Sequence, residues 1–144
     1  MVEVSYNQSL NAAIGDVIST IDAVTGVKAF DNPADAPSGQ WPLGIGFPRA
    51  GRFTGGGSQQ TTGYHTIVIQ LHYPRSSLSK AYSTIIPYVE GIIEALHADP
   101  TLGGTVTTIS GDIGYSFGSM TWAEIPTIGW QFEVPVKIRY TDAS

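Results

Sequence analysis

The residues of this chain with the widest chemical repertoire are three histidines, His65, His72 and His97, and two carboxylates on the same helical segment as the last of them, Glu90 and Glu94. His65 and His72 lie seven apart in YHTIVIQLHY. On a strand that odd spacing sends them to opposite faces, so they cannot ligate one metal together. Glu94 and His97 have the Glu-x-x-His spacing of di-metal carboxylate bundles, but those sites need a second copy of the motif, and the chain has one. A histidine near a helix C-terminus is already accounted for by the helix dipole. Glu90 and Glu94, four apart, read as a solvated helix face. Ser58 in GGGSQQ and Ser119 in FGSMT form no Gly-x-Ser-x-Gly elbow, no Gly-Lys-Ser/Thr follows Gly51, and GIGFPR lacks the third glycine of a dinucleotide fingerprint. The absence of cysteine removes thiol catalysis, disulfides and cysteine-ligated zinc. The expectation is therefore no catalytic residue, no metal ligand and no cofactor: a protein that is not an enzyme.

Charge and aromatic residues carry the remaining signal. Between Asp35 and Glu90 there is no carboxylate, while Arg49, Arg52, Arg75 and Lys80 all fall there. The flanks hold all twelve acids with only Lys28, Lys137 and Arg139, so the net charge of -5 conceals an internal asymmetry. Such asymmetry concerns surfaces and partners more than fold. A sequence pI near 4.9 argues against a general nucleic-acid binder. Gly51, Gly55, Gly56, Gly57 and Gly63 break every periodicity around Arg49, Arg52 and Phe53, so 49–63 reads as an extended flexible loop. Arg49 and Arg52 with Phe53 supply charge and a stacking face for phosphate contact, a weak module with two arginines alone.

The elements that would position these residues follow from hydrophobic spacing. Leu10, Ala13, Ile14, Val17, Ile18 and Ile21 make one helical stripe, with Asn7 or Ser9 to cap it and Gly26 to end it. Val27 to Phe30 suits a short strand. Tyr64 to Tyr73 alternates as a strand, with Trp41 to Phe47 as its antiparallel partner and the glycine-rich loop between them. Leu78 to Ile85 begins a helical pattern that Pro87 interrupts, and Pro87 reads as the first residue of a main helix to His97. Thr107 to Phe117 and Trp130 to Tyr140 read as two long antiparallel strands. Pro135 cannot donate to a ladder, so the last strand is expected at an edge or with a bulge. Such an edge, carrying Lys137 and Arg139, either pairs with another chain or is protected from doing so. The fold class expected is α+β, one domain over 1–144: an antiparallel or mixed β-sheet with two helices packed on one face and a long hairpin loop. The start MVEVSYNQSL shows no secretory pattern and no apolar run approaches a membrane span, so a protein made inside the cell and not associated with membranes is expected.

The order of elements, with PYVEGIIEALHADP running into TLGGTV and then two strands ending in WQFEVPVKIRY, resembles the tail-terminator proteins of long-tailed bacteriophages from about Leu10 to Tyr140. That resemblance implies a virion structural protein of the tail or neck, a homo-oligomer closing into a hexameric ring. Such a ring caps the tail tube protein, stops tail polymerisation and offers a docking surface to the head or neck connector protein, with DNA passing through its lumen. It also implies that the hairpin loop reaches a neighbouring subunit or the tube, which makes Trp41, Arg49, Arg52 and Phe53 interface candidates, with local packing as the alternative for the two aromatic residues. Copying two arginines around a ring would multiply a weak local charge. Rival readings are a different neck component, a connector or stopper, or a carbohydrate- or ligand-binding module using Trp41, Trp122 and Trp130.

Overall fold

The computed structural model describes residues 2–3, 9–30, 42–55, 60–122 and 124–142. Helix α1 spans Leu10–Thr25, and Ser9 begins it as a cap whose side chain accepts from Ala12 N at 3.0 Å. Gly26, at φ 76°, ends it with its N–H on Asp22 O. Ala13, Ile14, Val17 and Ile21 are buried, with Leu10 and Ile18 packed beside them, as the stripe predicts. The second helical body runs as α2 (Leu78–Ile85), a 3-10 turn at Ile86–Tyr88 and α3 (Val89–His97). Pro87 sits inside that turn and bends the chain there, so the main helix starts two residues later than its proline suggested.

Seven strands form one mixed sheet: β1 (Val2–Glu3), β2 (Ala29–Phe30), β3 (Leu43–Gly55), β4 (Gln60–Pro74), β5 (Thr108–Ile109), β6 (Gly114–Trp122) and β7 (Ile125–Asp142). The order is β1-β7-β4-β3-β2, with β5 and β6 also on β7; β2 joins β3 in parallel and every other pairing is antiparallel. Both helical bodies cover one face. Ile67, Ile69, Leu71 and Tyr73 of β4 and Trp130, Phe132, Val134, Val136 and Ile138 of β7 join α1, α2 and α3 in the main core. Each large side chain there contributes about 1.5–3 kcal/mol before the entropy of ordering is subtracted. The α+β class, with two helical bodies on one face of a mixed sheet, is what the sequence patterning leads to.

Three expectations need correction. The segment read as a loop over 49–63 is mostly strand: Ala50 to Gly55 pairs with Thr66 to Thr61 in register, and only 56–59 lie outside the described residues. The last strand is not an edge. β7 pairs with β4 along its length and, on its other side, with β6, β5 and β1 in turn. Pro135 falls between the β5 and β6 pairings, and its carbonyl accepts from Ser110 N at 2.9 Å. Along an antiparallel strand a residue's N–H and C=O point to the same side, so the missing donor faces the gap between β5 and β6 and costs no ladder bond. That same gap splits the strand expected over Thr107 to Phe117 into two.

Candidate interaction face

Residues opposite one another in an antiparallel ladder share a face. In β3, β4 and β7 this gives two cross-strand rows on the side away from the helices: Arg52, Tyr64 and Lys137, then Thr54, Thr62 and Arg139. Neighbouring strands lie about 4.8 Å apart and alternate residues about 6.7 Å apart, so three cations fall within one small patch. The Arg52 guanidinium lies 4.5 Å from the centre of the Tyr64 ring, a cation–π contact that holds it flat on the sheet. Arg49 is the extra residue at the register shift between Pro48 and Ala50, and it pairs with Glu133 of β7 across β4. Among the described residues this is the one ion pair. A shallow depression of about 290 Å³ lined by Ala50, Arg52, Tyr64, Thr66, Ser110 and Pro135 lies within the same face.

Four of the expected interface residues, Arg49, Arg52, Lys137 and Arg139, are therefore brought together. Phe53 is not: it faces the other way, 62% exposed, with ring centres 5.2 Å from His65 and 5.5 Å from Tyr140. Trp41 lies outside the described residues. Two of the glycines that made the segment look like a loop, Gly51 and Gly63, have a packing role instead. A Cβ on Gly51 would stand 2.6 Å from His65 Nδ1, and one on Gly63 2.5 Å from His65 Nε2. The imidazole thus lies in the space of two absent side chains, with Nε2 sharing a 3.0 Å hydrogen bond with the Tyr140 hydroxyl. Burial lowers its pKa and keeps the ring neutral.

His72 sits on the opposite face, fully buried, and its pKa is pushed down to about 4 by burial. Thr127 Oγ1 is 2.6 Å from its Nδ1 and Gln70 Oε1 2.9 Å from its Nε2, while Gln70 Nε2 donates to Gln131 Oε1 at 2.9 Å. With neutral His72 carrying its proton on Nε2, every member is satisfied: Thr127 donates to Nδ1, and Nε2 donates to Gln70. This chain ties β4 to β7 beneath the surface and leaves the imidazole no free nitrogen for chemistry.

The opposite layer is acidic on balance, with Lys80 on α2 against five carboxylates. Asp16 and Asp22 lie on α1, Glu90 and Glu94 on α3, and Asp99 just beyond α3. Burial, then the nearby Asp99, raises the pKa of Asp16. Among the described residues no three His, Asp or Glu side chains gather as a metal site would require. Glu90, Glu94 and His97 instead line an open, shallow cleft of about 640 Å³ between α3 and β6, together with Val89, Ile93, Ala98 and Tyr115. Nothing in the sequence marked this cleft, because Tyr115 reaches it from a strand remote from α3 in the chain. Trp130 is buried, its Nε1 donating to Ala81 O at 3.0 Å, and Trp122 is half-buried near His72, so neither forms an open platform for a sugar. No helix among the described residues is long and apolar enough to cross a membrane. No protein-family model matches the chain, and no curated protein matches it.

Proposed function

We propose that this chain is a phage virion structural protein whose copies form a ring on the end of the tail tube, stop its polymerisation and offer a docking surface to the head or neck connector. The observation that carries the reading is the division of charge between the two layers. Arg49, Arg52, Lys137 and Arg139 lie on the outer sheet face with one carboxylate, Glu133, and Asp16, Asp22, Glu90, Glu94 and Asp99 belong to the helical layer with one lysine, Lys80. A subunit with complementary surfaces on opposite sides associates head to tail, and a head-to-tail contact closes into a ring when its rotation permits. The β3–β4 hairpin, which carries two of the four cations, is the element that the tail-terminator resemblance assigns to a neighbour or to the tube.

Light scattering on the purified chain, alone and with tail-tube protein, tests the proposal. A closed oligomer of defined size, and tubes capped at one end, are expected. A strict monomer at micromolar concentration that also fails to ring up with tube protein overturns it. The basic face favours one second reading, a neck connector that contacts the DNA itself. That reading requires DNA binding whose affinity falls steeply with salt, whereas a protein-facing patch does not.

A further inference from the structure

We infer that the free edge of β6 pairs antiparallel with β6 of a second copy, about a two-fold axis at Phe117. The contact is isologous, so it is separate from the head-to-tail contact that a ring needs and does not rest on that reading. β6 pairs with β7 alone, and its other side meets no strand among the described residues. Pro135 and Lys137 turn their carbonyls toward the β6 side of β7, where they accept from Ser110 N and Thr107 N. Odd-numbered residues of β7 therefore bond β6, and their partners Gly114, Ser116, Gly118, Met120 and Trp122 turn inward. The N–H and C=O groups of Tyr115, Phe117, Ser119 and Thr121 face outward, with no backbone partner among the described residues.

Exposed sheet edges are ordinarily guarded by charge, proline, a bulge or shortness. The distal part of β3 has three of these guards, in Pro48, the register shift at Arg49, and the charges of Arg49 and Arg52. β6 has none: GYSFGSMTW is nine residues long, without a charge, a proline or a register shift. Apolar surface lies alongside it. Tyr115 is 56% exposed and Phe117 half-buried, while Tyr82, with its ring centre 5.3 Å from that of Phe117, and Ile86, one turn further on, are exposed too. What selects a second copy as the occupant is the order of charge along this edge. Arg75 donates to Ser119 Oγ at 3.3 Å, and Glu90 and Glu94 line the cleft beside Tyr115. Antiparallel pairing about Phe117 sets Ser119 of one copy opposite Tyr115 of the other, so each Arg75 is brought toward the carboxylates of the other copy. A parallel pairing loses both matches.

Nitroxide labels test the register, since the chain has no cysteine of its own. Ser116→Cys and Thr121→Cys each place one label at an exposed position. In the two-fold pair the labelled backbones stand about 8 Å apart at the first site and about 27 Å apart at the second. Strong dipolar coupling in Ser116→Cys and weak coupling in Thr121→Cys are expected. Uncoupled labels at Ser116→Cys overturn the pairing whether or not a ring forms, and so do short distances at both sites, which signal a parallel alignment or another face. Ser119→Pro removes an outward N–H and no bond to β7, so it should leave the unfolding transition of the monomer in place and weaken pairing about tenfold or more. Ser119→Ala keeps the N–H and should still pair. Arg75→Glu is expected to weaken the dimer, and adding Glu90→Arg with Glu94→Arg to recover much of the loss, which a merely misfolded variant would not show. A monomer whose Phe117 and Ser119 amides become protected from exchange only when tail-tube protein is added gives the edge to that partner and overturns the self-pairing.

Discussion

The first four residues of β3 are buried and its last eight are exposed, although both parts pair with β4 in register on either side of one bulge. What differs is the third neighbour. Gly44 lies against Ala29 of β2 and Gly46 against Ile18 of α1, so close that an added Cβ would stand 2.7 Å from each. Beyond Phe47, among the described residues, neither β2 nor α1 follows, and β4 is the one strand paired with it. Ladder hydrogen bonds are enough to keep the distal part extended, but burial needs an element on top of it. The glycines of the two parts have correspondingly different roles: in the first they admit a helix and a strand, and in the second Gly51 and Gly63 admit a single imidazole.

Changing the pH should separate the two parts most strongly. His72 is opposite Leu43, in the buried part, and His65 is opposite Gly51, in the exposed part. His72 falls from 6.5 to about 4 because burial disfavours the charged ring. Between those values the unfolded chain binds a proton that the folded one refuses, so its contribution is complete above pH 6.5 and is lost as the pH falls toward 4. The loss is up to about 3 kcal/mol, to be read from urea unfolding at a series of pH values in the wild type and in His72→Gln. A slope that survives in His72→Gln would assign the effect elsewhere, with His65→Gln as the matching control for the distal part. Gly44→Ala comes next, at about 2 kcal/mol, because the Cβ of Ala29 is fixed to its backbone and cannot swing aside. Gly63→Ala should cost about 1 kcal/mol, since the His65 ring can tilt, and should alter the fluorescence of the Tyr140 environment. Gly55→Ala, with nothing within 4 Å of the added carbon, should change stability least and in the opposite direction, raising it by up to about 0.5 kcal/mol. Equal losses at Gly44 and Gly55 would break the comparison.

Those glycines also show where sequence patterning succeeds and where it stops. The α1 stripe, the alternation of β4 and the division of the second helical body near Pro87 depend on neighbours in the chain, and all three are present. Gly51 and Gly63 read as loop residues because glycine weakens a strand unless something needs the vacated space. That something is His65, which reaches Gly51 across the β3–β4 ladder and Gly63 two residues before it on the same face. Pro135 likewise suggested an edge because its tolerance depends on a gap opposite it, and that gap is set by how Ser110 to Ile113 pass between β5 and β6. Of the candidate face, the residue types were legible. The register that aligns Arg52 with Lys137, and the cleft beside Tyr115, were not.

β7 serves β4 along one side and three separate strands along the other, and every one of those partners precedes it in the chain. The strand at the middle of the sheet is thus made after all the strands it joins. During synthesis the β3–β4 hairpin and the helices emerge with their apolar faces unmatched, waiting for Trp130, Phe132 and Val134 to arrive. Pairings so distant in sequence close slowly, and sheets caught before closure are prone to stick to one another. That core is therefore complete only once β7 itself has been made.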